Sequence, residues 1–284
     1  MQPMKTMSKH EVKTWLEQME LRPSRRLGQN FLFDHNLLSA IIRDFDPRPG
    51  QEVLEIGPGS GTLTERLLAA GCRVTAVEID HRLCAWLRHK FSDAVNFRLV
   101  ENDACKVDYD REFGALPYRC LANLPYAISS PWLVRMTEQE NRPQDLAVLV
   151  QRELADRLTA RPRTKEYGSL TLAVGLFYTV EQTRKVPPNV FFPQPEVDSA
   201  CLRLQPSPWA ATVSRLTRQH FSNLLRVGFS QRRKQLLKLL TARFPAAAAN
   251  LRQCLQTRGF NATARAEELT IEDFLALAAA LAPD

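Results

Sequence analysis

Four consecutive residues, Asn123-Leu124-Pro125-Tyr126, carry the most specific chemistry in this chain. They follow the apolar run Cys120-Leu121-Ala122, which reads as the end of a buried strand. Open parallel α/β sheets bind ligands at the carboxyl ends of their strands. The Asn123 amide both donates and accepts. Pro125 has no N–H and a fixed φ, so a carbonyl here is held in one direction. Tyr126 offers a flat face. An amide, a rigid carbonyl and an aromatic ring suit a planar target with an exocyclic amino group, such as adenine. A strand-end turn capped by a core tyrosine is the plainer alternative, and the four residues alone leave it open.

A second stretch must position a partner for that corner. A short apolar strand, from Gln51 to Ile56, runs into Glu55-Ile56-Gly57-Pro58-Gly59-Ser60-Gly61-Thr62, and a helix follows from Leu63 to Ala70. Glycines let the backbone turn sharply and approach a ligand, and the helix start points free N–H groups at it. The next strand, Val74 to Asp80, carries Glu78. It lies about 20 residues after Gly57, where nucleotide-type sites place an acid on a ribose diol. A dinucleotide loop needs a third glycine or alanine where this chain has Thr62. The order acid-x-Gly-x-Gly-x-Gly, led by Glu55, instead resembles the S-adenosylmethionine loop of class I methyltransferases. After a third strand, Asn96 to Val100, Asp103 is placed either to accept from an adenine amino group of a cofactor or to cap an Asx turn.

Around these motifs, strands alternate with helices, which argues a parallel, doubly wound sheet. Val12, Trp15, Leu16 and Met19 predict a helix within residues 1–21. The basic segment with Arg25 and Arg26 then enters Leu27-Gly28-Gln29-Asn30-Phe31-Leu32, and Asp34 is placed to cap a helix. The proline-rich segment 186–199 is expected to be rigid and extended. Its Phe191 and Phe192 are either a second stacking wall or buried anchors. Ala200–Leu204 is expected to be the last strand, possibly antiparallel. Gln205-Pro206-Ser207-Pro208 marks a linker, and the chain then reads as wholly helical from Thr212 to Pro283. Arg226, Arg232, Arg233 and Lys234 lie there on either a solvated helix face or a nucleic-acid contact.

Composition narrows the class. The chain has 284 residues, 44% hydrophobic and 24% charged, as in an ordinary globular protein of one or two domains. No apolar run approaches the roughly 20 residues of a membrane span, and the polar N-terminus lacks a signal peptide's apolar stretch, so a cytoplasmic location is expected. The six cysteines show no metal-binding spacing, and no metal is expected. The net charge of +7 leans toward a polyanionic partner.

Taken in order, Leu27–Leu32, Glu55–Leu63, Val77–Asp80, Asn102–Ala104, Asn123–Tyr126 and Phe192–Ser199 closely resemble the ribosomal RNA small-subunit adenine dimethyltransferase family (KsgA type). The resemblance runs from about residue 22 to the end. It implies a class I methyltransferase domain over 22–205, a small RNA-contacting helical domain over 209–284, and an extension over 1–21 to which nothing is carried over. It implies methyl transfer from S-adenosylmethionine to N6 of two adjacent adenosines in small-subunit rRNA, on an immature small ribosomal subunit, by a monomer. Asn30, Leu32, Gly57, Gly59, Glu78, Asp103 and Asn123 would line the cofactor and catalytic pocket. Tyr126 and one of Phe191 or Phe192 would sandwich a flipped adenine, and Arg25, Arg26, Arg226, Arg232, Arg233 and Lys234 would meet RNA.

The chemistry asks for position more than activation, because a sulfonium is already a strong methyl donor. The adenine amino lone pair is delocalised into the ring. Hydrogen bonds from that amino group to the Asn123 side-chain oxygen and to the Leu124 or Pro125 carbonyl favour a pyramidal nitrogen. None of the five histidines sits in these motifs. Three rivals remain: a large-subunit rRNA methyltransferase, a non-catalytic RNA-binding assembly or transcription factor, and a nicotinamide oxidoreductase. Leu124 and the Phe192–Ser199 segment lean away from the first. The intact Asn123–Tyr126 and Glu78 argue against the second, and Thr62 against the third.

Overall fold

The structure is a computed structural model that describes residues 8–24 and 26–281. Ser8 opens the first helix, α1 (Lys9–Gln18), by accepting the Glu11 N–H while the Glu11 side chain reaches back to the Ser8 N–H. A two-residue strand β1 (Phe31–Leu32) follows, and Asp34 caps α2 (His35–Phe45) through the Leu37 N–H. The chain then alternates through β2 (Glu52–Ile56), α3 (Thr62–Ala69), β3 (Arg73–Glu78), α4 (His81–Lys90) and β4 (Phe97–Glu101). It continues through α5 (Tyr109–Phe113), β5 (Tyr118–Asn123), α6 (Ser129–Glu138), β6 (Leu146–Gln151), α7 (Arg152–Leu158) and α8 (Ser169–Gly175). Three strands follow, β7 (Tyr178–Val186), β8 (Phe191–Phe192) and β9 (Ser199–Pro206). Then come α9 (Arg215–Gly228), α10 (Leu236–Arg243), α11 (Ala248–Thr257) and α12 (Ile271–Ala279).

The main sheet has seven strands in the order β4-β3-β2-β5-β6-β9-β7. Pairs β4–β3, β3–β2, β2–β5 and β5–β6 are parallel, and β9 returns antiparallel to β6. Val53, Leu54, Val74, Ala76, Cys120 and Leu121 are all nearly inaccessible, so both faces of the central strands are covered. Each valine and leucine among them contributes about 1.5–3 kcal/mol by leaving water. The decisive feature is the switch between β2 and β5. The chain winds outward from β2 to β4, then restarts on the other side of β2 with β5, and this point opens a crevice at the strands' carboxyl ends. The glycine loop after β2 and Asn123 at the end of β5 therefore become neighbours.

Three features go beyond the pattern read from sequence. The 186–199 segment is not extended throughout: Pro188–Val190 forms a single 3-10 turn, and β8 then pairs antiparallel with β1, Phe31 opposite Phe192 and Leu32 opposite Phe191. The short helix α5, capped by Asp108, was not anticipated. The basic run is not one continuous helix face. Arg226 lies in the last turn of α9, while Arg232, Arg233 and Lys234 lie in the turn before α10. Gly228 permits that turn, since a Cβ there would sit 2.9 Å from Leu236 Cδ1.

The described chain forms two compact units. The first holds residues up to Ala155 with Glu181–Gln205; the second holds Asp156–Val180 and residues from Pro206 onward. Residues 156–180 thus fall with the helical unit, although the sequence reading set them within 22–205. The linker expected near 205 coincides with a unit boundary. In the second unit, Phe221, Leu224, Leu236, Leu251 and Phe274 form a buried helical core.

Candidate active site

A cavity of about 400 Å³ opens at the switch point. Its walls are the 26–32 arm, the glycine loop, the ends of β3 and β4, and the Asn123–Tyr126 turn. Gly57, Gly59 and Gly61 have φ of +66°, +59° and +79°, a region that side chains with a Cβ seldom adopt. The loop is also hemmed in. A Cβ on Gly57 would meet Pro125 Cγ at 2.9 Å, and one on Gly59 would meet the Phe31 ring at 3.1 Å. The arm, the loop and the Asn123–Tyr126 turn are therefore in van der Waals contact with one another.

At the turn, the Asn123 Nδ2 donates to the Asn30 carbonyl at 3.0 Å. That bond fixes the amide's flip, so its oxygen remains an acceptor at the cavity wall. The Pro125 carbonyl accepts the Ile128 N–H and the Ser129 hydroxyl, both at 3.0 Å. Both lone pairs of the Pro125 carbonyl are thus engaged within the turn. The Tyr126 hydroxyl shares a hydrogen bond with the buried Ser199 hydroxyl, which sets the plane of the ring. Burial raises the Tyr126 phenol's pKa, a shift the Ser199 bond only partly offsets.

The acids divide by surroundings. Glu78 is 6% exposed, and its Oε1 accepts the N–H groups of Ile79 at 2.9 Å and Asp80 at 3.0 Å. Burial still outweighs these bonds and raises its pKa. Hydroxyl donors from a bound diol would offset that cost. Asp103 Oδ1 caps the turn by accepting the Cys105 N–H at 2.9 Å, with Lys106 3.8 Å from Oδ2. The Asx-turn reading therefore holds, and the residue also lines the cavity.

Glu55 lies under the glycine loop, 1% exposed, and accepts the Thr64 hydroxyl at 2.6 Å. Burial pushes its carboxyl up to about 7, against the lowering effect of Thr64. A carboxyl raised in the folded state stabilises the fold while protonated, below about 4.5, and that stability is lost as pH rises through about 7. Glu55→Gln should therefore flatten the fall in stability between pH 5 and 8, by roughly 3 kcal/mol. Glu78, raised in the same direction, retains part of the slope. Urea unfolding at the two pH values measures this, and an unchanged slope in the variant would contradict it.

The cavity gathers Arg26, Asn30, Leu32, Gly57, Gly59, Glu78, Asp103 and Asn123–Tyr126. Arg25 lies outside the described residues. Phe191 is 1% exposed within the sheet core and cannot offer a face to a ligand; Phe192, its neighbour on the opposite side of the strand, is half-buried. Arg226, Arg232, Arg233 and Lys234 are exposed, but Arg232 is bound to Glu267 and the Thr164 carbonyl. Sequence reasoning missed Gln29. Its amide donates to Asp80 at 3.2 Å and its oxygen accepts the Ser24 N–H, tying the arm to the start of α4. Bonds from Arg82 and Gln29 hold Asp80's pKa low despite burial. Gln29 falls inside the 27–32 motif, which was the only signal for it.

The model of the ribosomal RNA adenine dimethylase family matches residues 21–282. The chain belongs to that family. Its relatives include the ribosomal RNA small subunit methyltransferase A of Alkaliphilus metalliredigens, 36% identical over 278 residues with 96% of each chain covered. The same-named protein of a Synechococcus species is 41% identical over 268 residues, covering 90% of this chain and 91% of the relative. Among solved structures, a dimethyladenosine transferase from Plasmodium falciparum aligns with a TM-score of 0.71 at 26% identity, covering 87% of this chain and 95% of that one. The 23S rRNA methyltransferase ErmE aligns with a TM-score of 0.65 at 27% identity, covering 89% and 99%. The cofactor of this dimethylase family is S-adenosylmethionine. The cavity fits it: a glycine cradle that any Cβ would fill lies beside a buried acid suited to a ribose diol. No described helix is long and apolar enough to cross a membrane.

Proposed function

We propose that this protein transfers methyl groups from S-adenosylmethionine to N6 of two adjacent adenosines in small-subunit rRNA, acting as a cytoplasmic monomer on the maturing subunit. The observation that carries the reading is the Asn123 amide, locked by Asn30 so that its oxygen accepts. When bound, the cofactor supplies an electrophilic methyl group. Glu78 would hold its ribose, Gly57 and Gly59 would admit it closely, and Asp103 would face its base. The target adenine leaves its stack at a cost of a few kcal/mol, and stacking on Tyr126 and Phe192 offsets that cost. Asn123 Oδ1 and the Leu124 carbonyl then accept its two amino hydrogens. A nitrogen bonded in this way becomes pyramidal, which localises the lone pair. Neither residue needs to act as a strong base.

The two small-subunit methyltransferases above match at 36% and 41% identity, whereas ErmE, named for 23S rRNA, aligns at 27%. This favours the small subunit. The test is methylation of isolated small and large ribosomal subunits with labelled donor, followed by mass mapping of modified adenosines. Two adjacent dimethyladenosines in small-subunit rRNA are expected; label confined to the large subunit would transfer the reading to that substrate.

Phosphate contacts are assigned to Arg26, Arg226, Arg233 and Lys234, all exposed. Arg232, engaged with Glu267, contributes less. Reversing Arg233 and Lys234 to glutamate should weaken small-subunit binding by at least ~10-fold and lower the salt slope by roughly 1 per contact. Cofactor affinity should not change. A salt slope equal to wild type would remove these two residues from the interface.

A further inference from the structure

Helix α1 precedes the residues that the family model matches, yet its apolar face sits against the cofactor site. Trp15 is 5% exposed and touches two rings at once. It meets Phe31 edge-on with centroids 5.4 Å apart, and Trp86 at 5.6 Å. Each ring governs one wall of the cavity. Phe31 lies in the arm between Asn30 and Leu32, and its ring occupies the space beside Gly59. Trp86 Nε1 donates to the Ser60 carbonyl at 3.2 Å, and Lys90 Nζ donates to the same oxygen at 3.2 Å. The glycine loop is thus pinned from α4, and Trp15 packs on one of the two pins. Phe192, half-buried, packs against the same cluster.

We infer that Trp15 is a positioning residue for methyl transfer. α1 acts as a brace that fixes the arm and the glycine loop at one spacing. This rests on the reading of the cavity as the S-adenosylmethionine site. The contact depends on a flat ring and not on the indole N–H, since Trp15 Nε1 is buried with no hydrogen-bond partner among the described residues. A phenylalanine at this position should therefore serve, and an aliphatic side chain should not. Loosening the brace widens the cradle, so the effect falls on the cofactor's Kd and KM more than on kcat.

The test is calorimetric titration of S-adenosylhomocysteine into the wild type, W15F, W15L, W15A and W86F, well below each protein's unfolding temperature. W15L keeps an apolar helix face and is expected to fold, with affinity reduced about tenfold. W15F should bind within about twofold of wild type. W86F, which keeps the ring but loses the bond to Ser60, should weaken binding about fivefold. Wild-type affinity in W15L would overturn the inference, whether W15A folds or not. Failure of the wild type itself to bind S-adenosylhomocysteine would instead count against the site assignment.

Discussion

Asn123→Ala should lower methyl transfer to small ribosomal subunits by about 100- to 1,000-fold, the cost of removing one preorganised hydrogen-bonding group from a reacting centre. Cofactor affinity should fall by no more than about tenfold. The lost Asn123–Asn30 bond is worth about 1 kcal/mol and loosens the arm without removing it. The separation between the two effects is the informative part. A side chain that only shaped the cofactor pocket would lose affinity and rate together, whereas an acceptor for the substrate amino group loses rate at saturating cofactor. Asn123→Asp sharpens the point. It keeps an acceptor oxygen but loses the N–H that fixes it against the Asn30 carbonyl, so an intermediate rate is expected. Single-turnover methylation at saturating donor, paired with titration of the donor product, reads both quantities. Equal losses in both would move Asn123 out of the catalytic role.

Gly28→Ala should be nearly as damaging, for reasons of backbone packing. Gly28 has φ of +65°, and a Cβ there would lie 2.8 Å from the Tyr126 nitrogen and 2.9 Å from the Ala127 nitrogen. Both neighbours are main chain, so no flexible side chain can swing away. The left-handed conformation adds roughly 1–2 kcal/mol of strain. The arm must lift from the Asn123–Tyr126 turn, taking with it the Asn30 carbonyl that orients Asn123. Cofactor affinity and kcat should each fall at least ~10-fold, because arm and turn no longer share one geometry. Thermal unfolding should shift by only a few degrees, since Gly28 lies in a half-exposed turn. Gly50→Ala is the control: its φ is similar at +79°, but nothing lies within 4 Å of the added Cβ, so it shares the strain without the clash. A Gly28→Ala enzyme with normal kinetics would show that the arm does not position the turn.

The parts of the fold written in local pattern were legible in the sequence. Alternating strands and helices, the glycine loop, the Asp34 cap and the acid at the end of β3 are each specified within a few residues. The seven-stranded order and the antiparallel return of β9 follow the expected doubly wound scheme. What was not legible depends on contacts between distant segments. The β1–β8 pairing joins residues 31–32 to 191–192, and only that register shows which phenylalanine faces the core. Pairing directs Phe191 inward and leaves Phe192 at the surface of a neighbouring cluster. The choice between the Leu124 and Pro125 carbonyls likewise depends on Ile128 and Ser129 folding back onto Pro125. Residues 156–180 read as a continuation of the sheet domain because their strand and helix periods do not change at Ala155. Their contacts, not their composition, place them with the helical unit.

A crystal structure with S-adenosylhomocysteine and adenosine would locate both ligands relative to the Asn123–Tyr126 corner of the cavity. The sulfur is expected beside Asn123, the ribose on Glu78, and the adenosine N6 within hydrogen-bond distance of Asn123 Oδ1 and the Leu124 carbonyl, with its ring against Tyr126. Adenosine bound elsewhere, for instance in the cavity of about 290 Å³ between α2 and strands β5, β6 and β9, with the Asn123 amide turned to the wall, would contradict this placement.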